Sequence, residues 1–310
     1  MLGISTAWKS KEVATGDELL KALDEIGINQ TELDFRITSP IFQQLLPSIK
    51  QGRLKVLSVH NYFPLPDIIP LDKANADTFP LSSLDEAERR QGIHYTMKTV
   101  QVAHEIGARA VVVHLGRVDM GFQKKYYHQL YDSDKLRGEK GQLFLKDQKK
   151  VREIYKPRHL DELFDSLEKV LKEAEKLRIP IGIENRLHLN EIPNFDEIGL
   201  LLKKFSGSPL YYWHDTGHAA VQENLTIVEQ KALLEAYSSS LLGVHLHDTR
   251  DYEDHLAPGR GTINFSSLLP FIKDGAQRVP GPIIKIVEAH PKVSREELLT
   301  GIDYLTSLGL

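Results

Sequence analysis

Short apolar runs rich in Val, Ile and Leu recur along the chain. Each is followed by a stretch whose apolar positions repeat at the helical period. Eight such runs read as strands, at 2–8, 30–35, 55–62, 110–116, 179–186, 210–216, 241–248 and 283–290. Most are nearly continuously apolar and turn polar only at the end, as strands of a buried parallel sheet do. The intervening segments, at 16–27, 39–52, 83–107, 159–177, 194–205, 226–240, 263–275 and 294–309, read as helices. Several open on Ser, Thr, Asp or Asn ahead of acidic residues and several close on Gly, which suits helix caps and the helix dipole. Eight alternating units predict an α/β fold, a (β/α)8 TIM barrel with residues 1–310 as a single domain. A doubly wound sheet split into two domains is the alternative, and the lack of a long linker favours closure.

Two segments exceed what such a barrel needs. Residues 62–82, with Pro64, Pro66, Pro70 and Pro80, follow the third strand, and residues 117–156 follow the fourth. Insertions after strands fall on the C-terminal face, where barrel active sites are built, so both are candidate lids. Between Gly121 and Leu160 there are 11 Lys or Arg against 5 Asp or Glu, interleaved with Phe122, Tyr126, Tyr127, Tyr131, Phe144 and Tyr155. Such a segment reads either as an electropositive flap over an anionic substrate, or as a solvated helix or subunit interface in a possible homo-oligomer.

The chain carries no Cys and 13 His, which rules out disulfides, thiolate nucleophiles and Cys-type zinc or iron–sulfur sites. Any metal must then be held by His, Asp and Glu. No run approaches the roughly 20 apolar residues of a membrane span, and the first ten residues lack a leader pattern. The expectation is a soluble, cytoplasmic protein with no membrane partner. A net charge of −4 argues against a general nucleic-acid binder.

The polar ends of the strands carry the chemistry. The third run ends on His60, the fourth on His114, the fifth on Glu184 and the sixth on Asp215, with His218 three residues on. The seventh ends with His245, His247 and Asp248, and the eighth with Glu288 and His290. In a parallel barrel all these ends open into one mouth. Carboxylates gathered there among imidazoles would repel one another without a cation, and oxygen and nitrogen ligands suit Zn, Mn, Co or Mg. Asp215 would also cap the helix after its strand, which is compatible with ligation.

The ordered set of IEN at Glu184, DTGH at Asp215, HLHD at His245 followed by PGRG, and VEAH at Glu288 resembles the xylose isomerase-like TIM barrels. That superfamily groups sugar isomerases and epimerases with type 2 apurinic (AP) endonucleases, the endonuclease IV-like enzymes. In its ketose epimerase branch the resemblance implies one divalent metal on Glu184, Asp215, His245 and Glu288, with His218 at the substrate. In the endonuclease IV branch it implies a three-zinc cluster that also uses His60, His114, His218 and His255. That branch carries Asp-x-His, whereas this chain reads Glu253-Asp254-His255.

An isomerase must remove a proton from carbon beside a carbonyl, which calls for a metal on the substrate oxygens and a carboxylate on each face. Glu184 and Glu288 are the expected catalytic pair, and the substrate a small sugar or sugar phosphate. Under the alternative, a zinc-dependent phosphodiesterase acting on nucleic acid, the same two residues would bridge metals. Asn185, His247 and Arg260 are expected at the substrate, although the turn holding Arg260 could equally leave it solvated. His188, His214 and His290 could orient ligands from behind. No organic cofactor is expected.

Overall fold

The computed structural model describes residues 2–273 and 279–310. Its centre is a closed barrel of eight parallel strands: β1 (Leu2–Ser5), β2 (Gln30–Leu33), β3 (Lys55–His60), β4 (Ala110–Val113), β5 (Ile181–Glu184), β6 (Leu210–Asp215), β7 (Leu241–Leu246) and β8 (Ile284–Val287). The strands run in chain order around the barrel, and β8 closes against β1. They are shorter than the apolar runs because the chain leaves the sheet where it turns polar; after Ser5, for example, Thr6–Trp8 forms a 3-10 turn.

Around the barrel lie α1 (Gly16–Ile26), α2 (Ser39–Lys50), α3 (Glu86–Glu105), α4 (Lys124–Asp132), α5 (Glu139–Leu177), α6 (Phe195–Lys204), α7 (Thr216–Asn224), α8 (Gln230–Tyr237), α9 (Leu269–Lys273) and α10 (Arg295–Ser307). Capping boxes, Asn194 with Glu197 and Ser294 with Glu297, start α6 and α10. Positions 274–275, the end of one expected helical segment, lie outside the described residues. The barrel interior is filled by Ala110, Val112, Trp213, Leu242, Ile284 and Ile286. Trp213 explains Gly243, where an added Cβ would lie 2.3 Å from the indole ring.

The segment 117–156 is not a loop. It forms α4 and the first half of α5, a 39-residue helix that runs through Pro157 into the barrel wall. Pro157 and the charges ahead of it mask the helical period in the sequence, so the helix reads as beginning only at 159. Contacts on both sides of the proline hold the helix in place. The guanidinium of Arg152, fully buried, donates to both carboxylate oxygens of Glu197 at 2.5 and 2.8 Å. His159 donates from Nδ1 to the carbonyl of Ser82 and accepts at Nε2 from the backbone N–H of Asp119, tying the two insertions together. Tyr127, Leu130, Leu136 and Leu145 form a small second core with Leu189, Val221 and Leu225. The insertion is thereby seated on α7 at the C-terminal face.

Candidate functional site

Four strand-end residues meet at the mouth. Glu184 ends β5, Asp215 ends β6, His245 is next to last in β7 and Glu288 follows β8. The β6–β7 register sets Asp215 directly beside His245. One ligand atom from each of the four lies within 4.8 Å of all the others, and all four residues are buried. His245 Nδ1 is 2.7 Å from Glu184 Oε1, 3.1 Å from Glu288 Oε2 and 3.6 Å from Asp215 Oδ2. Ligands about 2.0–2.2 Å from one ion lie no more than about 4.4 Å apart, and the three separations from His245 Nδ1 fall within that limit, so these side chains fit a shared divalent metal. Three carboxylates and one imidazole are a donor set suited to such an ion.

Three further groups adjoin this quartet: His60 and His114 with Glu184, His218 with Asp254 and His255, and His247 and His255 with Asp215 and Glu288. The hydrogen bonds assign the ring nitrogens. A carbonyl oxygen can only accept, so His60 donates from Nδ1 to Asn61 O at 3.1 Å, and His218 donates from Nδ1 to Asn185 O at 3.0 Å. Their Nε2 atoms are left to face carboxylates, Glu184 Oε2 at 3.5 Å and Asp254 Oδ2 at 3.7 Å. His114 Nε2 lies 2.8 Å from Glu184 Oε2.

Burial, the largest influence on each of these groups, opposes charge, and here their mutual attraction overcomes it. The Glu184 carboxyl is held well below its usual range by His245, His114 and His60, and that of Asp215 by His218, His247 and His245. Glu288 is lowered by His245 and His255. The imidazole of His60 is pushed up to about 9, chiefly by Glu184, and His245 and His255 are raised well above the usual value by surrounding carboxylates. The cluster is therefore a strong seat for cations, whether protons on imidazole or a metal that displaces them.

Sequence reading missed three acidic partners. Glu32, fully buried on β2, meets His245 Nε2 at 3.0 Å and accepts from the hydroxyls of Ser5 and Ser58. A hydrogen bond there puts a proton on Nε2 and turns Nδ1 toward the quartet. Its one sequence signal is a charge inside a strand that is otherwise buried. Asp254 is the residue that seemed to interrupt the Asp-x-His pattern, and it is the one facing His218 and His255. Asp77 comes from the 62–82 segment, which has no periodicity to place it.

The expected substrate contacts are placed differently. Asn185 is buried and clamps the Asp215 backbone, accepting from its N–H at 2.8 Å and donating to its carbonyl at 3.0 Å. His247 accepts at Nδ1 from the backbone of His255 and so donates from Nε2 to Asp215. Both hydrogen-bond Asp215 and so fix one carboxylate of the quartet. Gly217 makes room for His247, whose ring would lie 2.0 Å from an added Cβ. Arg260 is exposed and its charge acts on Glu297 at the start of α10, away from the cluster. Its turn is held by Asp248, which accepts from the backbone of Gly259 and Ile263. Of the expected orienting residues, His214 bonds Tyr212, His290 is exposed and His188 packs against His128; none is hydrogen-bonded to the quartet.

The cations of the insertion do not line the mouth as a group. Lys146, Lys149 and Lys150 are exposed along a separate groove with Leu145 and Ile154, and Arg152 is consumed by Glu197. Lys124 joins Asp77, Arg117, Asp119, His188 and Glu191 around a cleft of about 350 Å³. Among the described residues no helix is long and apolar enough to cross a membrane.

Solved structures share this architecture. A D-tagatose 3-epimerase-like protein is 18% identical with a TM-score of 0.66, the match covering 99% of this chain and 96% of the other. A 3-keto-D-glucoside 4-epimerase from E. coli is 14% identical at a TM-score of 0.66, with 99% and 98% covered. The IolI protein, solved with a bound zinc atom, is 13% identical at a TM-score of 0.63, with 99% and 97% covered. Comparison with curated proteins gives no match. The family model described as xylose isomerase-like TIM barrel matches residues 20–308, nearly the whole chain. With that match and its closed eight-stranded barrel, the chain belongs to the xylose isomerase-like TIM barrel family.

Proposed function

We propose that the protein is a divalent-metal-dependent isomerase or epimerase of a small sugar or sugar phosphate. The observation that carries this reading is the buried quartet of Glu184, Asp215, His245 and Glu288, with two carboxylates, Glu184 and Glu288, brought to it from different strands. The quartet would hold one ion. When bound, a divalent ion supplies positive charge to the substrate's carbonyl and hydroxyl oxygens, which lowers the cost of the enediolate. One of Glu184 and Glu288 takes the proton from the carbon beside the carbonyl, and the other returns it. Asn185 and His247 fix Asp215, and Glu32 fixes His245. The epimerases among the structural neighbours support the same reaction class.

A second reading, a three-zinc phosphoester hydrolase of the endonuclease IV type, draws support from the three adjoining ligand groups and from Asp254 standing in for the expected aspartate. The outward placement of Lys146, Lys149 and Lys150 weighs against it, because binding a nucleic-acid strand needs cations lining its path. One experiment separates the two. The metal-loaded protein is incubated with ketohexoses and their phosphates in deuterium oxide, and in parallel with a duplex carrying an abasic site. Deuterium entering at the carbon beside the carbonyl supports the isomerase. Duplex cleavage without exchange on any sugar would overturn it.

A further inference from the structure

The hairpin formed by Asp248–Arg250 and Glu253–Leu256 is gripped at its tip from two sides, by side chains outside every strand-end motif. A two-stranded hairpin is only marginally stable in water, so its tip must be held by contacts from elsewhere. The insertion supplies them. His128, Tyr131 and Asp132 lie three and four residues apart on α4 and so share a face. The ring of Tyr252, at the tip, stacks on His128 with centroids 4.2 Å apart and planes inclined by 23°, and Tyr131 meets it edge to face at 5.7 Å. Two hydrogen bonds cross the same seam in opposite directions. Tyr131 Oη donates to Asp251 Oδ1 at 2.9 Å, and Tyr252 Oη donates to Asp132 Oδ2 at 3.2 Å. On the other side Asn224, the last residue of α7, donates to the carbonyl of Asp251 at 2.7 Å. Asp251 has a left-handed φ of 57°, which persists in a non-glycine residue where its surroundings fix it. The helix doing the gripping is itself fixed: Tyr127 is buried, belongs to the small core against α7 and donates to the carbonyl of Leu225.

We propose that this clasp of α4 on the hairpin positions Asp254 against His218, with Tyr252 as the principal positioning residue. The two ligand residues of the hairpin are not held alike. His255 is anchored at the base: its ring stacks on His247 at 4.1 Å, its N–H donates to His247 Nδ1 at 2.9 Å, and its carbonyl accepts from the N–H of His290 at 2.9 Å. Asp254 is one residue nearer the tip, and its carboxylate faces His218 Nε2 at 3.7 Å and His255 Nδ1 at 3.2 Å. Where that carboxylate lies follows from where the tip lies, and α4 sets the tip. The insertion thus acts on the mouth through the hairpin, by fixing the direction of one carboxylate, and its aromatic residues serve that seam. A cation shared by His218, Asp254 and His255 rests on the metal-dependent reading above; the clasp does not.

The test uses the full chain. In the metal-free protein, Tyr252→Ala should speed hydrogen exchange of the backbone amides of residues 249–256 by about 3–10-fold, as the loss of one aromatic pair implies, and leave the barrel strands unchanged. Tyr252→Phe keeps the stack and loses one hydrogen bond; it should give a smaller change of the same sign, and it guards against misfolding. Titration with Zn²⁺, and the d–d spectrum of Co²⁺ at increasing load, supply a readout that the loss of a merely structural contact would not move. Tyr252→Ala should weaken the more weakly held ion by about tenfold and leave the tightest-bound one in place. In an Asp254→Asn background it should weaken neither further. Unchanged hairpin exchange in Tyr252→Ala would overturn the proposal, as would an effect on ion binding that persists undiminished in the Asp254→Asn protein. Uptake of a single ion that neither substitution weakens would overturn the cation's part in it. If the wild type takes up no divalent ion, the metal-dependent function fails, and hairpin exchange alone decides the clasp.

Discussion

The quartet and the His218–Asp254–His255 group sit in the same mouth but are built differently. The quartet's side chains come from strand ends or the residue just past one, and they are at most 9% exposed. Two of the trio come from the hairpin of Asp248–Arg250 with Glu253–Leu256; Asp254 and His255 are 27% and 25% exposed, and His255 is held at a left-handed φ of 58°. A strand end inherits its position from the barrel's hydrogen bonds, whereas a hairpin residue must be held by local contacts and here also by backbone strain. Buried groups also interact more strongly, because water screens them less. The quartet should therefore dominate ion binding and chemistry, with the trio as an adjunct.

Glu184→Gln should break this asymmetry most severely. It should lower deuterium exchange into substrate by about 10³-fold or more, while the melting temperature shows the fold retained. Equal damage from Asp254→Asn would show the two groups to be equivalent.

The next largest effect concerns protons in the metal-free protein. The His60 value rises from 6.5 to about 9 on folding, so its stabilising contribution is fully present below pH 6.5 and is lost as pH rises through about 9. Urea titrations across that window should show a loss of up to roughly 3 kcal/mol. Saturating metal should largely abolish the loss, because the ion takes the proton's place.

Asp254→Asn should cost about tenfold in the affinity of one ion and leave the tightest-bound ion in place, which metal analysis after partial chelation will show. The smallest effect is expected for the double charge reversal Lys149→Glu with Lys150→Glu. It should change KM by less than about twofold even for a phosphorylated substrate, since these side chains are exposed along a groove apart from the mouth. A large rise in KM would restore the electropositive-flap reading.

The strand ends were legible because a parallel barrel turns distant positions into neighbours by a fixed rule: apolar run, then polar end, then one common opening. Glu184, Asp215, His245 and Glu288 follow that rule, and the structure gathers them. Glu32 breaks it by pointing inward within a strand, where only packing shows that it faces His245. Asp77 arrives on a segment with neither period, so its partners are fixed by tertiary contact alone. Asn185 and His247 are adjacent in sequence to strand-end positions, and Arg260 sits in a Pro-Gly turn that the sequence leaves free to face a substrate or solvent. Nearness along a strand end does not say which face a side chain takes, and Asn185 and His247 turn to Asp215, which they support. The helical character of 139–158 was hidden by Pro157, which tertiary contacts overrule.

The long helix α5 has a consequence for how the C-terminal face can move. At about 1.5 Å per residue it is a rod of roughly 58 Å, one end part of the barrel wall and the other carrying the small core with Leu189, Val221 and Leu225. An element continuous with the barrel wall cannot swing aside as a hinged door does, because such a movement would break the helix or pull Arg152 from Glu197 within the buried interface. Whatever geometry α5 lends to the C-terminal face is then set when the protein folds, rather than by closure around a molecule that has entered.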